Sequence, residues 1–379
     1  MRTSFVNGTF AWSEEDDHAV IEMTAEQSLL ADELGFSAIL FPEKHFNGYL
    51  PASADPMMSA AYLAPQLKQA YLGFAILAAA FFHPANVVER INLLDHYTRG
   101  RLLLGIGSGI EIEAMAGFGL KWADVQSSGL REFFEVAERL WEKKADDPPY
   151  EFETTYYRGT IYERIHPRPF SQPRPRLVGV GMREESIARA AEQGWPVFIP
   201  AFDGLDNFVG RLRHYGESLA AAGHDADIQR TCMAWTSYTY NAVFVADTDA
   251  EAERLMRDAL TSHVEAMDRL EQRTRIQARA ADGVGGGFKP FTKDFEHDLR
   301  TRCLFGSPDT VVAELSRLAE LGVGNAIMSF NVGVYTEERR RAFDRSIRLY
   351  AEEVMPRVEA IAAPASTDEL IGRAIVEGK

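Results

Sequence analysis

With 379 residues, 46% of them hydrophobic and 25% charged, the chain can bury one barrel-sized core or two smaller ones and is too apolar to be disordered. A formal net charge of -16 argues against a general affinity for nucleic acid or anionic membrane, which clustered Lys and Arg carry, and favours a small or neutral partner. Cys232 and Cys303 are far apart and lack metal-ligand spacing, so they read as reduced thiols with no metal site. No apolar signal segment follows Met1, and no apolar run approaches the roughly 20 residues that span a bilayer, so a soluble, cytoplasmic protein is expected.

Met1 to Phe10 is compatible with a first strand. Val20, Met23, Ala25, Leu29 and Leu30 then approximate helical spacing, and Gly35 stands where a C-terminal cap belongs. The apolar run Phe36 to Phe46 predicts strand two, ending in Glu43, Lys44 and His45. Asp55-Pro56 opens a helix, and Tyr71 to Phe82 predicts a third strand, apolar on both faces as in a covered parallel sheet. A helix from Pro84 leads into strand four, Arg101 to Ile106, and the turn Gly105-Ile-Gly-Ser-Gly109.

A long amphipathic helix is predicted over Trp122 to Lys144, then a proline-rich hairpin and connector over about 146–176. Strand–helix alternation resumes with Leu177–Gly181, Trp195–Ala201, Cys232–Ala246 and Asn325–Phe330 as strands five to eight. Gly283 to Gly287 lie in a stretch, about 276–303, that reads as a mobile lid. Eight mostly apolar strands with following helices predict an α/β fold, a (β/α)8 TIM barrel over residues 1–361, with 362–379 as a C-terminal tail. Gly105, Gly107 and Gly109 form G-x-G-x-G, not the dinucleotide fingerprint G-x-G-x-x-G.

In such a barrel the chemistry lies at the C-terminal strand ends. Strand two delivers Glu43, Lys44 and His45, with Glu43 and His45 on one face if alternation persists and Lys44 on the other. The ordinary imidazole pKa of about 6.5 suits His45 to proton transfer near neutral pH. Strand four ends at Gly107 and Ser108, and strand five at Met182, Arg183 and Ser186, where a cation and helix N-H groups could hold a phosphate. Other polar residues read as structural: His83 before a helix-starting proline, Asp95 with Arg101 as a stabilising pair, and Glu111 and Glu113 as a solvated loop face from which one could reach substrate. Tyr156, Tyr157 and Tyr162 read as hairpin surface.

Four segments in this order carry a resemblance: G-F-S-A-I-L-F-P-E-K-H-F at Gly35–Phe46, the H-P-A-N-V-V-E-R to G-I-G-S-G stretch at His83–Gly109, P-R-P-R-L-V-G-V-G with its A-A-E-Q-G helix end, and F-G-S-P-D-T-V at Phe305–Val311. They resemble the bacterial luciferase-like family of flavin monooxygenases over nearly the whole chain. The resemblance implies a barrel that binds reduced FMN, supplied by a separate flavin reductase, and uses dioxygen to oxygenate a small-molecule substrate, packed as a homodimer through helices of the first barrel half. By position it implies flavin contact from the backbone around Phe74, Ala75 and Ile76, often with a non-prolyl cis peptide, and a flavin phosphate between Gly107, Ser108 and Met182, Arg183, Ser186. Luciferase's catalytic subunit has two histidines after the strand-two glutamate. Here the first is Lys44, leaving His45 as the catalytic candidate, with Glu43 and Lys44 beside it. A deazaflavin-dependent oxidoreductase and a flavin-binding relative without turnover are the alternatives.

Overall fold

The computed structural model describes residues 1–376 apart from Asn47, Phe202, Glu271 and 273–293. Eight parallel strands close a barrel: β1 (Arg2–Val6), β2 (Ala38–Phe41), β3 (Tyr71–Ala78), β4 (Leu102–Gly107), β7 (Arg176–Val180), β8 (Val197–Ile199), β9 (Ser237–Tyr240) and β12 (Asn325–Met328). Around the barrel the order is β1-β12-β9-β8-β7-β4-β3-β2, so β2, β3, β4 and β7 are successive neighbours. Between β4 and β7 lies an antiparallel hairpin of β5 (Tyr150–Glu153) and β6 (Arg158–Ile161). The last two strands, β10 (Ala242–Val245) and β11 (Cys303–Gly306), form a separate parallel pair.

Strand alternation sorts the core into two layers. Leu40, Leu103, Val178, Phe198 and Ile327 fill the barrel interior, while Ile39, Phe41, Phe74, Leu104 and Leu177 pack outward beneath the helices. β3 and β4 approach so closely that a Cβ on Gly73 would lie 2.2 Å from the Leu103 carbonyl oxygen, and one on Gly105 2.3 Å from that of Phe74.

Several expectations are corrected. The seventh strand, expected over Cys232–Ala246, is three elements: Cys232 to Trp235 close a helix begun at Ala226 and capped by Asp225, β9 completes the barrel, and β10 leaves it for β11. Asp95 and Arg101 do not pair. Asp95 accepts the Ser171 N-H at 2.6 Å and its hydroxyl at 3.0 Å, and Arg101 donates to the carbonyls of Ala70 and Leu67. Tyr157 is buried, although Tyr162 is exposed. Beyond residue 361 the chain forms the helix Thr367–Val376, whose Leu370 is fully buried against the helix Leu205–Ala222. The Gly283–Gly287 stretch lies outside the described residues, and 295–301 of the expected lid are helical. Cys232 and Cys303 are buried free thiols. Among the described residues no helix is long and apolar enough to cross a membrane.

Candidate active site

β2 ends at Phe41, earlier than its apolar run suggests, and the chain continues as a loop carrying Glu43, Lys44 and His45. Glu43 and His45 turn to the same side. Glu43 Oε1 lies 2.6 Å from His45 Nε2, and Glu43 Oε2 accepts the Ala78 N-H at 2.5 Å, joining the ends of β2 and β3. The Glu43 side chain is fully buried, and this burial raises its carboxyl above the ordinary range, although the hydrogen bonds from His45 and Ala78 oppose the shift. Lys44 points elsewhere, onto the Glu111 carboxylate, while its own N-H donates to the Ser53 carbonyl at 2.9 Å. Glu111 and Glu113 are therefore not a solvated face; both are buried.

Aromatic rings wall in His45. Phe118 meets it edge-on with centroids 4.9 Å apart, Phe81 edge-on at 5.6 Å, and Phe46 and Phe82 at 5.9 and 6.1 Å. Phe81 and Phe118 stack at 5.1 Å. Phe46 and Phe118 remain 59% and 38% exposed, so this apolar wall faces an open rim.

The next two strands supply bare backbone. The Ala75–Ile76 peptide bond is cis, and the β3–β4 register shifts between Ala75 and Leu77. Phe74 buries its side chain outward, leaving Ala75 and Ile76 half-buried. Gly107 sits under Ile76, where a Cβ would come within 2.4 Å of Ile76 Cδ1. Gly109, with φ +78°, continues the turn beneath Phe81 and Ala78, and its carbonyl accepts from Gln126 Nε2 at 2.7 Å. The Ser108 hydroxyl lies 3.5 Å from Gln126 Oε1.

Met182, Arg183 and Ser186 stand one strand further along the rim, all exposed, where the helix Glu184–Glu192 begins. No hydrogen bond among the described residues links them to Gly107 or Ser108. The Ser186 and Ile187 N-H groups are turned onto the Arg183 carbonyl at 3.0 and 3.1 Å, and Glu184 and Glu185 occupy the first turn. The candidates thus form one arc, β2 to β3 to β4 to β7, with Glu43, His45, Ile76 and Gly107 tied together and the β7 group sharing only the rim. His83 lies outside the cluster; it caps its helix, its Nδ1 accepting the Ala85 N-H at 3.3 Å.

Flavin fits the arc unevenly. Cβ-free backbone and an aromatic wall suit a flat ring system, whereas two carboxylates oppose a phosphate at the β7 helix start, leaving Arg183 as the cation to offset them. Phe81 and Phe118 were not singled out for this site from the sequence, because only long-range packing brings them to His45. The same holds for a second rim cluster, in which Phe10, Trp12 and Tyr49 stack and the buried His263 meets Phe10 edge-on at 4.6 Å.

A family model described as luciferase-like monooxygenase matches residues 1–325. The chain is 25% identical over 362 residues to 3,6-diketocamphane 1,6-monooxygenase of Pseudomonas putida, covering 88% of this chain and 92% of the relative. Among solved structures, the oxygenating constituent of 3,6-diketocamphane monooxygenase from the same species, a type II Baeyer-Villiger monooxygenase in complex with FMN, superposes with a TM-score of 0.73 at 21% identity, covering 96% of this chain and 99% of that one. An F420-dependent secondary alcohol dehydrogenase, in complex with an F420-acetone adduct, gives a TM-score of 0.65 at 14% identity over 94% of this chain and 98% of the other.

Proposed function

The chain belongs to the luciferase-like monooxygenase family, and on that premise we propose that it inserts one oxygen atom from dioxygen into a small apolar organic substrate, using reduced FMN. The observation that carries this reading is the Glu43–His45 pair at the mouth of an aromatic wall, beside the bare backbone of Ala75–Ile76 and Gly107. Reduced FMN bound there supplies the two electrons that divide dioxygen between product and water. The ring would lie along Ala75, Ile76 and Gly107, with Ser108, Met182, Arg183 and Ser186 toward its phosphate. Phe46, Phe81 and Phe118 exclude water and favour an apolar substrate. His45, held by Glu43 at Nε2, would hold or deliver a proton through its other ring nitrogen, Nδ1.

Reduced flavin comes from a separate reductase in this reading. That is supported by the fold: among the described residues the parallel strands close a barrel, and the remaining sheets have two strands each, so no dinucleotide-type open sheet is present. A homodimer is supported by an apolar stripe on two neighbouring helices, Pro56–Leu63 and Pro84–Thr98. Met58 and Tyr62 are 68% and 66% exposed, and Leu93 and Tyr97 lie one turn apart on the second helix, also exposed.

The test supplies reduced FMN and ¹⁸O₂ to the purified protein with a panel of cyclic ketones, aldehydes and thioethers. One labelled oxygen in a product is expected, with His45→Gln slowing turnover by about 10²- to 10⁴-fold, the range of general acid–base catalysis. Hydride transfer from the reduced deazaflavin with no label incorporated would instead favour the deazaflavin reading, which the fold shared with the F420-dependent dehydrogenase keeps in view. If His45→Ala changed no product, the non-catalytic alternative would be preferred.

A further inference from the structure

Lys44 stands where the luciferase catalytic subunit has a histidine, and its surroundings point to a different task. Its ammonium is bonded to the buried Glu111 carboxylate, and Glu111 is the residue immediately before the short helix Ile112–Gly117. At the other end of that helix Phe118, its N-H donating to the Ala114 carbonyl at 3.0 Å, sets its ring edge-on against His45. Phe46 lies over Gly117, where a Cβ would come within 2.3 Å of Phe46 Cδ2. Six helical residues span about 9 Å. Three consecutive loop residues therefore grip one helix at both ends, Lys44 at its start and His45 with Phe46 at its finish.

We infer that Lys44 is a positioning residue: with Glu111 it fixes the helix Ile112–Gly117 so that Phe118 seats against His45, and it does not carry the reaction's proton. A proton leaving Lys44 would weaken the ion pair that anchors the buried Glu111 carboxylate, whereas Glu43 and His45 lie 2.6 Å apart at the aromatic wall itself. The catalytic consequence rests on the proposed monooxygenase reading; the positioning itself does not.

The experiment separates the two. In the ligand-free protein, the His45 ring-proton resonance is identified by its disappearance in His45→Gln, and its ring-current displacement by Phe118 is measured from Phe118→Leu. Lys44→Met and Glu111→Gln are each expected to move the resonance in the direction of Phe118→Leu. Lys44→Arg should hold it near the wild-type position, and the double variant should move it no further than either single one, as for residues acting as one unit. If one variant fails to fold, as judged by circular dichroism, the other still decides the point. A resonance unmoved in Lys44→Met or Glu111→Gln but moved in Phe118→Leu overturns the inference. In turnover, Lys44→Met should lower kcat by about tenfold while keeping both limbs of the pH profile, since general acid–base groups, not their supports, set those limbs. Loss of a limb in Lys44→Met, with that limb retained in His45→Gln, would make Lys44 the proton carrier and overturn the inference. A wild-type protein with no oxygenated product refutes the monooxygenase reading alone, because the resonance measurements need no flavin.

Discussion

At the scale of single residues, identity was easier to read than partnership. Glu43 and His45 were expected to share a face if strand alternation persisted; the strand stops at Phe41, and the loop still brings them to 2.6 Å. Glu111 could not be paired in this way. An Ile-Glu-Ile-Glu run looks like a solvated loop edge, yet the Glu111 carboxylate is buried and meets Lys44 in an ion pair spanning 67 residues, invisible to local pattern. His263 was missed for the same reason. Its ring is fully buried, edge-on to Phe10 and Trp12, and burial pulls its pKa down to about 3. The folded value lies below the unfolded one, so its contribution to stability is complete above about pH 6.5 and is lost as pH falls toward the folded value. Thermal unfolding followed from pH 7 down to pH 3 should therefore show a smaller loss of Tm in His263→Phe, which keeps an aromatic ring but cannot titrate, than in wild type. Equal slopes would assign the acid sensitivity to other groups.

At the scale of elements, the barrel strands were legible because a parallel strand covered on both faces is a continuous apolar run, as in β3 and β4. The same rule explains the error at Cys232–Ala246. A helix end, the barrel strand Ser-Tyr-Thr-Tyr and an apolar strand of the outer pair follow one another there, each largely buried, and the chain changes sheet at Asn241 with only that residue between β9 and β10. The glycines of β3 and β4 mark a constraint that the pattern alone does not price. An alanine at Gly73 or Gly105 would push its Cβ onto a backbone oxygen of the neighbouring strand, which cannot swing aside. Gly73→Ala and Gly105→Ala should each destabilise the barrel by about 1–3 kcal/mol, the usual cost of overpacking. Gly117→Ala meets first the half-open Phe46 ring and should leave Tm nearly unchanged while altering substrate KM. Thermal melts of the three variants check the contrast, and a Gly117→Ala melt as low as that of Gly105→Ala would mean that Phe46 is held as rigidly as the strands.

For the whole molecule, the arc β2–β3–β4–β7 explains why residues scattered from Glu43 to Ser186 share one rim: the order in which strands close the barrel makes them neighbours although the β5–β6 hairpin and connector separate β4 from β7 in sequence. The alternation of strands and helices predicted this order with the closure, since successive strands of a (β/α)8 barrel are neighbours; what no local signal gave is which loop side chains meet above them. The apolar stripe of Met58, Tyr62, Leu93 and Tyr97 makes the predicted assembly testable at the same scale. Tyr62→Glu with Leu93→Glu should shift the protein from dimer to monomer in sedimentation velocity, and a wild-type protein already monomeric at micromolar concentration would refute the proposed interface. The central claim is that this arc, and not another part of the rim, receives the flavin. Crystals soaked anaerobically with reduced FMN test it most directly. Density is expected for the ring along Ala75, Ile76 and Gly107 with one edge toward His45, and for the phosphate near Ser108 and Arg183. Ring density on the neighbouring stretch of rim beyond β1, against Phe10, Trp12 and Tyr49, or at the N-terminal mouth of the barrel, would contradict it.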